Sequence, residues 1–423
     1  MQQKSILTIF IILVTSVCFA QFTIDGEFRP RTEYRHGFGS IIPQETEPGY
    51  GISTRARLNF GFKKETYELY FSAQDVLVWG ENRQILPKDV NNSFAIFEAW
   101  ANFKISENFY TKAGRQILSY DDQRILGGLD WAQQGRNHDA LLLQFGKEKT
   151  ALDVGLAFNQ DYDEISGFQN TGNTYHTTGF FSYKTMQFLH FNRQWNTFNL
   201  SVLLLNNGFQ EFDENDDADG ISNLQTMGAH VSYQKNKFDA AGNIYFQTGK
   251  QQGNLKVNSA YLVGLDAHYK ITSKIKLGVG FELISGTDVN SDANETSAFF
   301  PLYGTNHKFN GFMDYFYVGN HANSIGLVDF HINSIFTLGE HSNLLVSLLN
   351  FSGDEALPSG EKNLGTEVDL VYSHKFKEFS ISVGYSQMFA SDGMYELKGV
   401  SENTAADTQN WAWAMLVLKP KFL

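Results

Sequence analysis

Residues 22–35 read FTIDGEFRPRTEYR, and residues 52–63 read ISTRARLNFGFK. In the first stretch Phe22, Ile24, Phe28, Thr32 and Tyr34 share one parity, while Asp25, Glu27, Arg29, Arg31, Glu33 and Arg35 share the other. In the second, Ile52, Thr54, Ala56, Leu58, Phe60 and Phe62 alternate with Ser53, Arg55, Arg57, Asn59 and Lys63. A strand turns successive side chains to opposite faces. Each stretch therefore predicts a strand with one apolar face and one densely charged face. The fold is decided by which face meets water.

The alternation recurs along the chain. Tyr67–Gln74, Phe97–Ile105, Leu152–Asn159, Met227–Tyr233, Phe238–Gln247, Tyr261–Tyr269 and Ile275–Leu283 carry it. Strand-like runs continue at Leu327–Phe336, Leu344–Phe351, Leu364–Tyr372, Phe379–Met388 and Thr408–Leu418. Short turns such as Lys235–Lys237 and Gly339–Ser342 alternate with long polar connections such as Ser119–Asn137, Asn206–Ile221, Ser285–Gly319 and Ala390–Ala406. The chain is rich in Phe (37), Tyr (19) and Gly (37), has only 7 prolines, and shows no Pro/Ser-rich linker. No segment after residue 20 approaches the ~18 consecutive apolar residues of a transmembrane helix.

In lipid every backbone donor and acceptor must be paired within the protein, so a sheet must close on itself. The apolar parity then faces acyl chains. The charged parity faces a lumen, because a charge on the lipid face near the midplane costs roughly 2–4 kcal/mol. A large soluble β-sandwich or propeller would share the alternation. The missing blade repeat and the short–long rhythm of connections favour the barrel. The expected fold is all-β: a single closed antiparallel transmembrane β-barrel of about 18 strands, spanning residues 21–423. Pro30 falls on the lipid parity of the first strand and has no N–H, so a bulge or a locally broken pairing is expected there.

Lys4, the apolar run Ile6–Val17 and the small Ala20 read as a secretory signal peptide cut after Ala20. Cys18 raises a lipoprotein reading, but Val17 stands where a small residue is wanted. Cleavage would remove the only cysteine, and with it disulfide and thiolate chemistry. It would also remove Lys4, taking the formal net charge from −13 to −14, the opposite of what a nucleic-acid binder needs. Against that acidic balance, the ten arginines all lie at or before Arg193, whereas lysines run the whole length.

Three stretches resemble the alginate export family of outer-membrane barrels. One is Glu98-Ala99-Trp100 with Gly114–Gly127, Trp131–Arg136 and Asp139. The second is Ser285–Asp288 with Phe300–Phe309, Gly311 and Asp314-Tyr315, and the third is Leu364–Leu370 with Gly384-Tyr385-Ser386. The resemblance implies a monomeric 18-stranded barrel whose constricted, positively charged lumen passes an anionic polysaccharide, with periplasmic export partners. It carries Arg55, Arg57, Arg115, Arg124 and Arg136 over as lumen or constriction arginines. Two features depart from that picture: the basic character stops at Arg193, and the opposite wall offers Glu282, Glu367 and Asp369.

The expected solute path runs past Arg29, Arg31, Arg55, Arg57, Glu98, Lys104, Arg115, Arg124, Arg136, Glu367 and Asp369. A guanidinium is permanently charged and presents a planar fork to carboxylates, so a row of them offers weak, repeated binding to an acidic sugar chain. The same arginines can instead pair with Asp25, Glu27, Glu33, Glu68 and Glu98 on neighbouring strands and fill the lumen. Both readings stay open at this level. The acidic run Glu211–Gly220 faintly resembles a calcium loop, but its twelfth position would be Thr226, so a solvated surface loop is expected. His307 is expected to make a structural polar contact, since the eleven histidines show no metal spacing. Neither Gly-x-Ser-x-Gly nor His-Glu-x-x-His occurs, so no catalytic residue, metal or cofactor is expected. The aromatic C-terminus Trp411–Leu423 resembles a barrel assembly signal, with Pro420 and Leu423 departing from the usual ending. The reading is an outer-membrane channel for a hydrophilic solute, anionic by the arginine row. The alternatives are a general diffusion porin, and a barrel enzyme or surface-binding barrel.

Overall fold

The computed structural model describes residues 21–82, 84–85, 93–159, 182–215 and 218–423. The expected signal peptide and Arg83 lie outside them. The wall begins with β1 (Gln21–His36), β2 (Gly49–Lys63), β3 (Tyr67–Val78), β4 (Ala95–Ser106), β5 (Phe109–Gln116), β6 (His138–Lys147) and β7 (Thr150–Phe158). It continues with β8 (Thr185–Gln194), β9 (Phe198–Phe212), β10 (Ala218–Lys235), β11 (Phe238–Gln251), β12 (Leu255–Lys270) and β13 (Ile275–Ile284). After the two-residue β14 (Glu295–Thr296) come β15 (Leu327–Gly339), β16 (Ser342–Ser352), β17 (Asn363–Lys375), β18 (Phe379–Ala390) and β19 (Gln409–Leu418). A short helix, α1 (Asp392–Lys398), lies between the last two.

The long strands pair antiparallel with their chain neighbours, and β1 pairs with both β2 and β19, which closes the barrel. β14 is a side pairing, parallel to β12. The described wall is thus an 18-stranded antiparallel barrel. The termini lie at the end of the short turns, which in outer-membrane barrels is the periplasmic end. Phe22, Phe28, Leu58, Leu69, Phe71, Phe145, Leu156, Leu265 and Phe330 are exposed on the outer surface. Glu27, Arg29, Arg31, Glu33, Arg55, Glu282, Glu367 and Asp369, on the other parity, are buried. Such an apolar outer band is the surface that acyl chains cover. Among the described residues no helix is long and apolar enough to cross a membrane.

Three local expectations change or sharpen. Asn206–Ile221 is not a loop: β9 runs to Phe212 and β10 starts at Ala218. Polar side chains hold this extension, with Asn206 donating to Gln187 at 2.8 Å and to Asn223 at 2.9 Å, and Gln210 donating to the Gly220 carbonyl at 3.0 Å. Strand pairing continues there without an apolar face. Asp216 and Asp217, part of the expected calcium-like run, lie outside the described residues. The alternation over Phe97–Ile105 predicts Phe97 on the lipid parity with Ala99 and Ala101, but the β3–β4 register shifts between Ser72↔Glu98 and Ala73↔Ile96. That extra residue is a bulge. It sends Phe97 inward, where its ring lies 3.6 Å from the Arg57 guanidinium. At Pro30 the ladder to β2 is regular, but the ladder to β19 drops out between Phe28↔Leu418 and Arg31↔Met415 without a change of register. The pairing is broken on one side only, and there is no bulge.

Candidate functional site

Two long connections turn into the barrel. Residues 117–137, after β5, and residues 285–326, after β13, meet inside the lumen. Leu126 bridges Tyr303, the Gly127 N–H donates to the Tyr303 carbonyl at 2.9 Å, and the Thr305 N–H donates to the Gln123 carbonyl at 2.9 Å. Leu118, Ile125, Leu126, Phe299, Leu302, Met313 and Tyr315 are buried in one cluster with the wall residues Leu262, Phe351 and Trp411. An apolar core within a pore gives these loops a fixed path. Leu129 (φ 52°) and Leu302 (φ 47°) hold left-handed backbone, uncommon for such side chains and typical of constrained functional segments.

The arginines of β1 and β2 hold the first loop. Arg29 donates to Gln133 Oε1 at 3.0 Å and to the carbonyls of Asp130 and Ala132 at 2.7 and 3.1 Å. Arg31 donates to the Trp131 carbonyl at 2.9 Å and to Glu33 at 3.1 Å. Arg55, fully buried, binds Glu27 through Nε at 2.9 Å and Asp130 through Nη2 at 2.8 Å. Arg57 donates to Gln74 at 2.5 Å. Trp131 is stacked on His307 with centroids 4.1 Å apart, and His307 on Phe312 at 4.9 Å. His307 therefore sits in an aromatic sandwich between the two loops. Partial desolvation works to raise the pKa of Asp130, but Arg55, then Arg29 and Arg57, outweigh it and hold the carboxyl below its ordinary value.

On the far side Arg124 makes a two-pronged pair with Glu282, at 2.8 and 2.6 Å, and also donates to Asn310 at 3.0 Å. Asn310 in turn donates to Glu282 and Asp329 at 2.9 and 3.1 Å. Arg136 donates to the carbonyls of Tyr303 and Gly304, tying one loop to the other. Glu367 accepts from the Met313 N–H at 2.9 Å, and Asp369 accepts from Ser386 at 2.5 Å. Lys308 reaches the Asp122 carbonyl at 2.5 Å; burial lowers its pKa.

Among the described residues, cavities flank this partition. One of about 530 Å³, toward the long loops, is bordered by Arg31, Glu33, Arg35, Tyr50, Trp131 and Asp314. One of about 280 Å³, toward the short turns on the same wall, is bordered by Asp25, Glu27, Arg57, Tyr70, Glu98, Lys419 and Lys421. The third, about 350 Å³, lies against β11–β17 and is acidic, with Asp122, Asp266, Glu282, Asp329 and Asp369 beside Lys308 and His331. A closed barrel with an inward-folded partition and charged cavities on both sides of it has the build of a constricted channel.

A sequence model of the family described as Alginate export matches residues 21–406. The chain belongs to the alginate export family. It is a β-barrel of the bacterial outer membrane. Among solved structures, Pseudomonas aeruginosa OpdK with vanillate aligns with a TM-score of 0.63 at 9% identity, covering 95% of this chain and 99% of that one. OpdO of the same organism aligns with a TM-score of 0.64 at 9% identity, covering 95% and 98%. Acinetobacter baumannii OccAB1 gives 0.62 at 12% identity, covering 95% and 97%. At such identities the likeness concerns the fold. No curated protein sequence matches the chain.

In this alginate export family barrel the expected path residues occupy different settings. Arg29, Arg31, Arg55 and Arg57 converge on the loop 130–134, and Arg124 and Arg136 join the loops to each other and to the far wall. Glu98 borders the turn-side cavity and accepts from Trp100 Nε1 at 3.1 Å. Lys104 is exposed near the short-turn rim, opposite Tyr110. Glu367 and Asp369 are buried beneath the second loop. Arg115 departs from the expectation. It stands opposite Ala99 and Asp139 on the outer parity and donates to both Asp139 carboxylate oxygens at 2.9 Å, through Nε and Nη2. The parity of β5 is not readable from its own residues, because Gly114 takes a φ of +123° there and the apolar alternation is weak. Sequence reasoning also missed Asp130 and Gln133 as the groups the arginines grip, and Lys419 and Lys421 as lumen residues. The basic pair could have been found by continuing the period-2 alternation of β19 beyond Leu418.

Proposed function

We propose that the barrel conducts a hydrophilic anionic solute, with an acidic polysaccharide as first candidate, along the wall made by β1–β4. The observation that carries this reading is the charge balance at the constriction. Five guanidiniums, Arg29, Arg31, Arg35, Arg55 and Arg57, meet three carboxylates, Glu27, Glu33 and Asp130. The surplus is positive where residues 130–134 narrow the lumen. Arg35 keeps about half of its side chain open toward one cavity, and Lys419 about two thirds toward the other. A surplus spread over several groups attracts an anion without trapping it at any one of them. Passage of solutes of either sign, as in a general diffusion porin, is the second reading. The acidic cavity on the far wall favours it.

Planar-bilayer recording in a salt gradient tests the choice. The expected result is a zero-current potential on the chloride side, moving further that way in Asp130→Asn, which removes one of the three balancing carboxylates. Cation preference in the wild type, unchanged in the variant, sinks the anionic reading.

A further inference from the structure

We propose that Tyr70, together with Arg57, Lys419 and Lys421, forms a stacking subsite for an acidic sugar ring at the short-turn end of the lumen. This rests on the anionic reading above and names the class of solute.

Tyr70 and Trp100 stand opposite each other on β3 and β4, on the lumen parity. Their rings are stacked at 5.2 Å with 22° between the planes, and Lys112 Nζ lies 3.8 Å from the centroid of the Trp100 ring. One face of Tyr70 is therefore backed by a fixed aromatic and a cation. On its other side the residue directly across is Gly61, which has no side chain to cover the ring. A Cβ at Gly61 would come within 2.4 Å of Thr23 Oγ1, so the position is also kept small by its neighbour. Tyr70 borders the turn-side cavity, and that cavity supplies the cations.

The cations come from an unexpected place. Beyond β19 the tail continues along β1, with the Gly26 N–H donating to the Pro420 carbonyl at 3.0 Å and the Phe422 N–H to the Ile24 carbonyl at 2.8 Å. Asp25 pairs with Lys421 in this extension. The alternation puts Lys419 and Lys421 inward and Phe422 outward. Lys419 is 3.2 Å from Glu27, a carboxylate already bound by Arg55.

A pyranose ring offers an apolar C–H face and a rim of hydroxyls, and a uronate adds a carboxylate at its edge. It needs a flat apolar surface, cations beside it and acceptors at the rim. Tyr70 gives the first, Arg57, Lys419 and Lys421 the second, and Asp25, Asn59 and Glu98 the third. A small inorganic anion cannot use the ring, and a neutral sugar cannot use the cations.

The test is block of ion current through the full-length protein by tetragalacturonate, added to each side in turn, with maltotetraose and sulfate as comparison probes. The expected result is block by the uronate alone, stronger from the short-turn side. Tyr70→Ala is expected to weaken the block about tenfold, the equivalent of one lost contact, while Tyr70→Phe keeps it. Lys421→Gln, on the exposed tail, is expected to weaken it independently, so a poorly inserting Tyr70→Ala does not end the test. Undiminished block in both Tyr70→Ala and Lys421→Gln, or equal block by sulfate, overturns the subsite. An anion-selective wild type that the uronate does not block also overturns it and leaves the anionic reading standing. A cation-selective wild type overturns the reading beneath both.

Discussion

Arg124 is the residue whose removal should be felt most. Its guanidinium and the carboxylate of Glu282 are both buried, and they satisfy each other through two parallel bonds at 2.8 and 2.6 Å. A buried ion pair is weak evidence for net stability, but breaking one by deleting a single partner leaves a charge without compensation. Arg124→Met is therefore expected to cost about 3–5 kcal/mol, read from urea unfolding in lipid vesicles by tryptophan fluorescence. The double variant Arg124→Met, Glu282→Leu should recover most of that loss. A single variant as stable as the wild type would mean that Asn310 and water already satisfy Glu282. Arg115 makes the opposite point. It has a similar two-pronged partner in Asp139, but the pair lies on the outer parity, at the long-loop end of β5, with about half of each side chain exposed. Residue type alone does not separate these two arginines; burial and parity do.

At the scale of elements, the strands were legible and the inward loops were not. Alternation is local, so Ile24 beside Asp25 and Leu58 beside Arg57 announce the two faces without help from the rest of the chain. A loop's route depends on partners far away. Arg29 grips carbonyls about a hundred residues on, and Arg124 meets Glu282 from another wall. The crossing point of the loops depends on Gly304, where an added Cβ would come within 2.3 Å of the Arg124 carbonyl. Gly304→Val should wedge the loops apart, and the expected sign is a larger single-channel conductance with a noisier open level. Unchanged conductance would show that the crossing does not limit flow. A second loop-end contact carries a pH signature. Lys398 in α1 donates to the Tyr315 carbonyl at 2.7 Å, and burial lowers its pKa to about 8. The folded form then releases its proton before an unfolded lysine does, so between about pH 8 and the ordinary lysine value of about 10.4 the unfolded state holds more protons and stability rises with pH. Hydrogen-exchange protection around residues 392–398, taken relative to the base-catalysed intrinsic rate, should rise across that window in the wild type and lose the trend in Lys398→Met.

For the whole molecule, the decisive contact is the seam between the first and last strands. β1 and β19 pair from Arg31↔Met415 to His36↔Asn410, lose two pairs at Pro30, and regain one at Phe28↔Leu418. Below that point the seam depends on the tail. The Ile24 N–H donates to the Leu423 carbonyl at 3.1 Å and the Gly26 N–H to the Pro420 carbonyl at 3.0 Å. Pro420 departs from the usual ending of a barrel assembly signal, and a proline has no N–H to give a ladder. Only its carbonyl is used here, so hydrogen bonding to β1 resumes past the end of β19 at Leu418. Each backbone group left unpaired in lipid costs several kcal/mol. The proline gap already leaves β1 less well closed on this side than on the β2 side, where pairing is continuous. Deleting residues 419–423 should therefore reduce the fraction that folds in detergent or vesicles well beyond the effect of Lys419→Gln and Lys421→Gln together, since those changes remove charge and keep the backbone. Migration of unheated against boiled protein on a gel reads the folded fraction directly. If the truncated chain folded as completely as the charge variant, the barrel would have to close through β19 alone, and the inward placing of Lys419 and Lys421 would be incidental to its assembly.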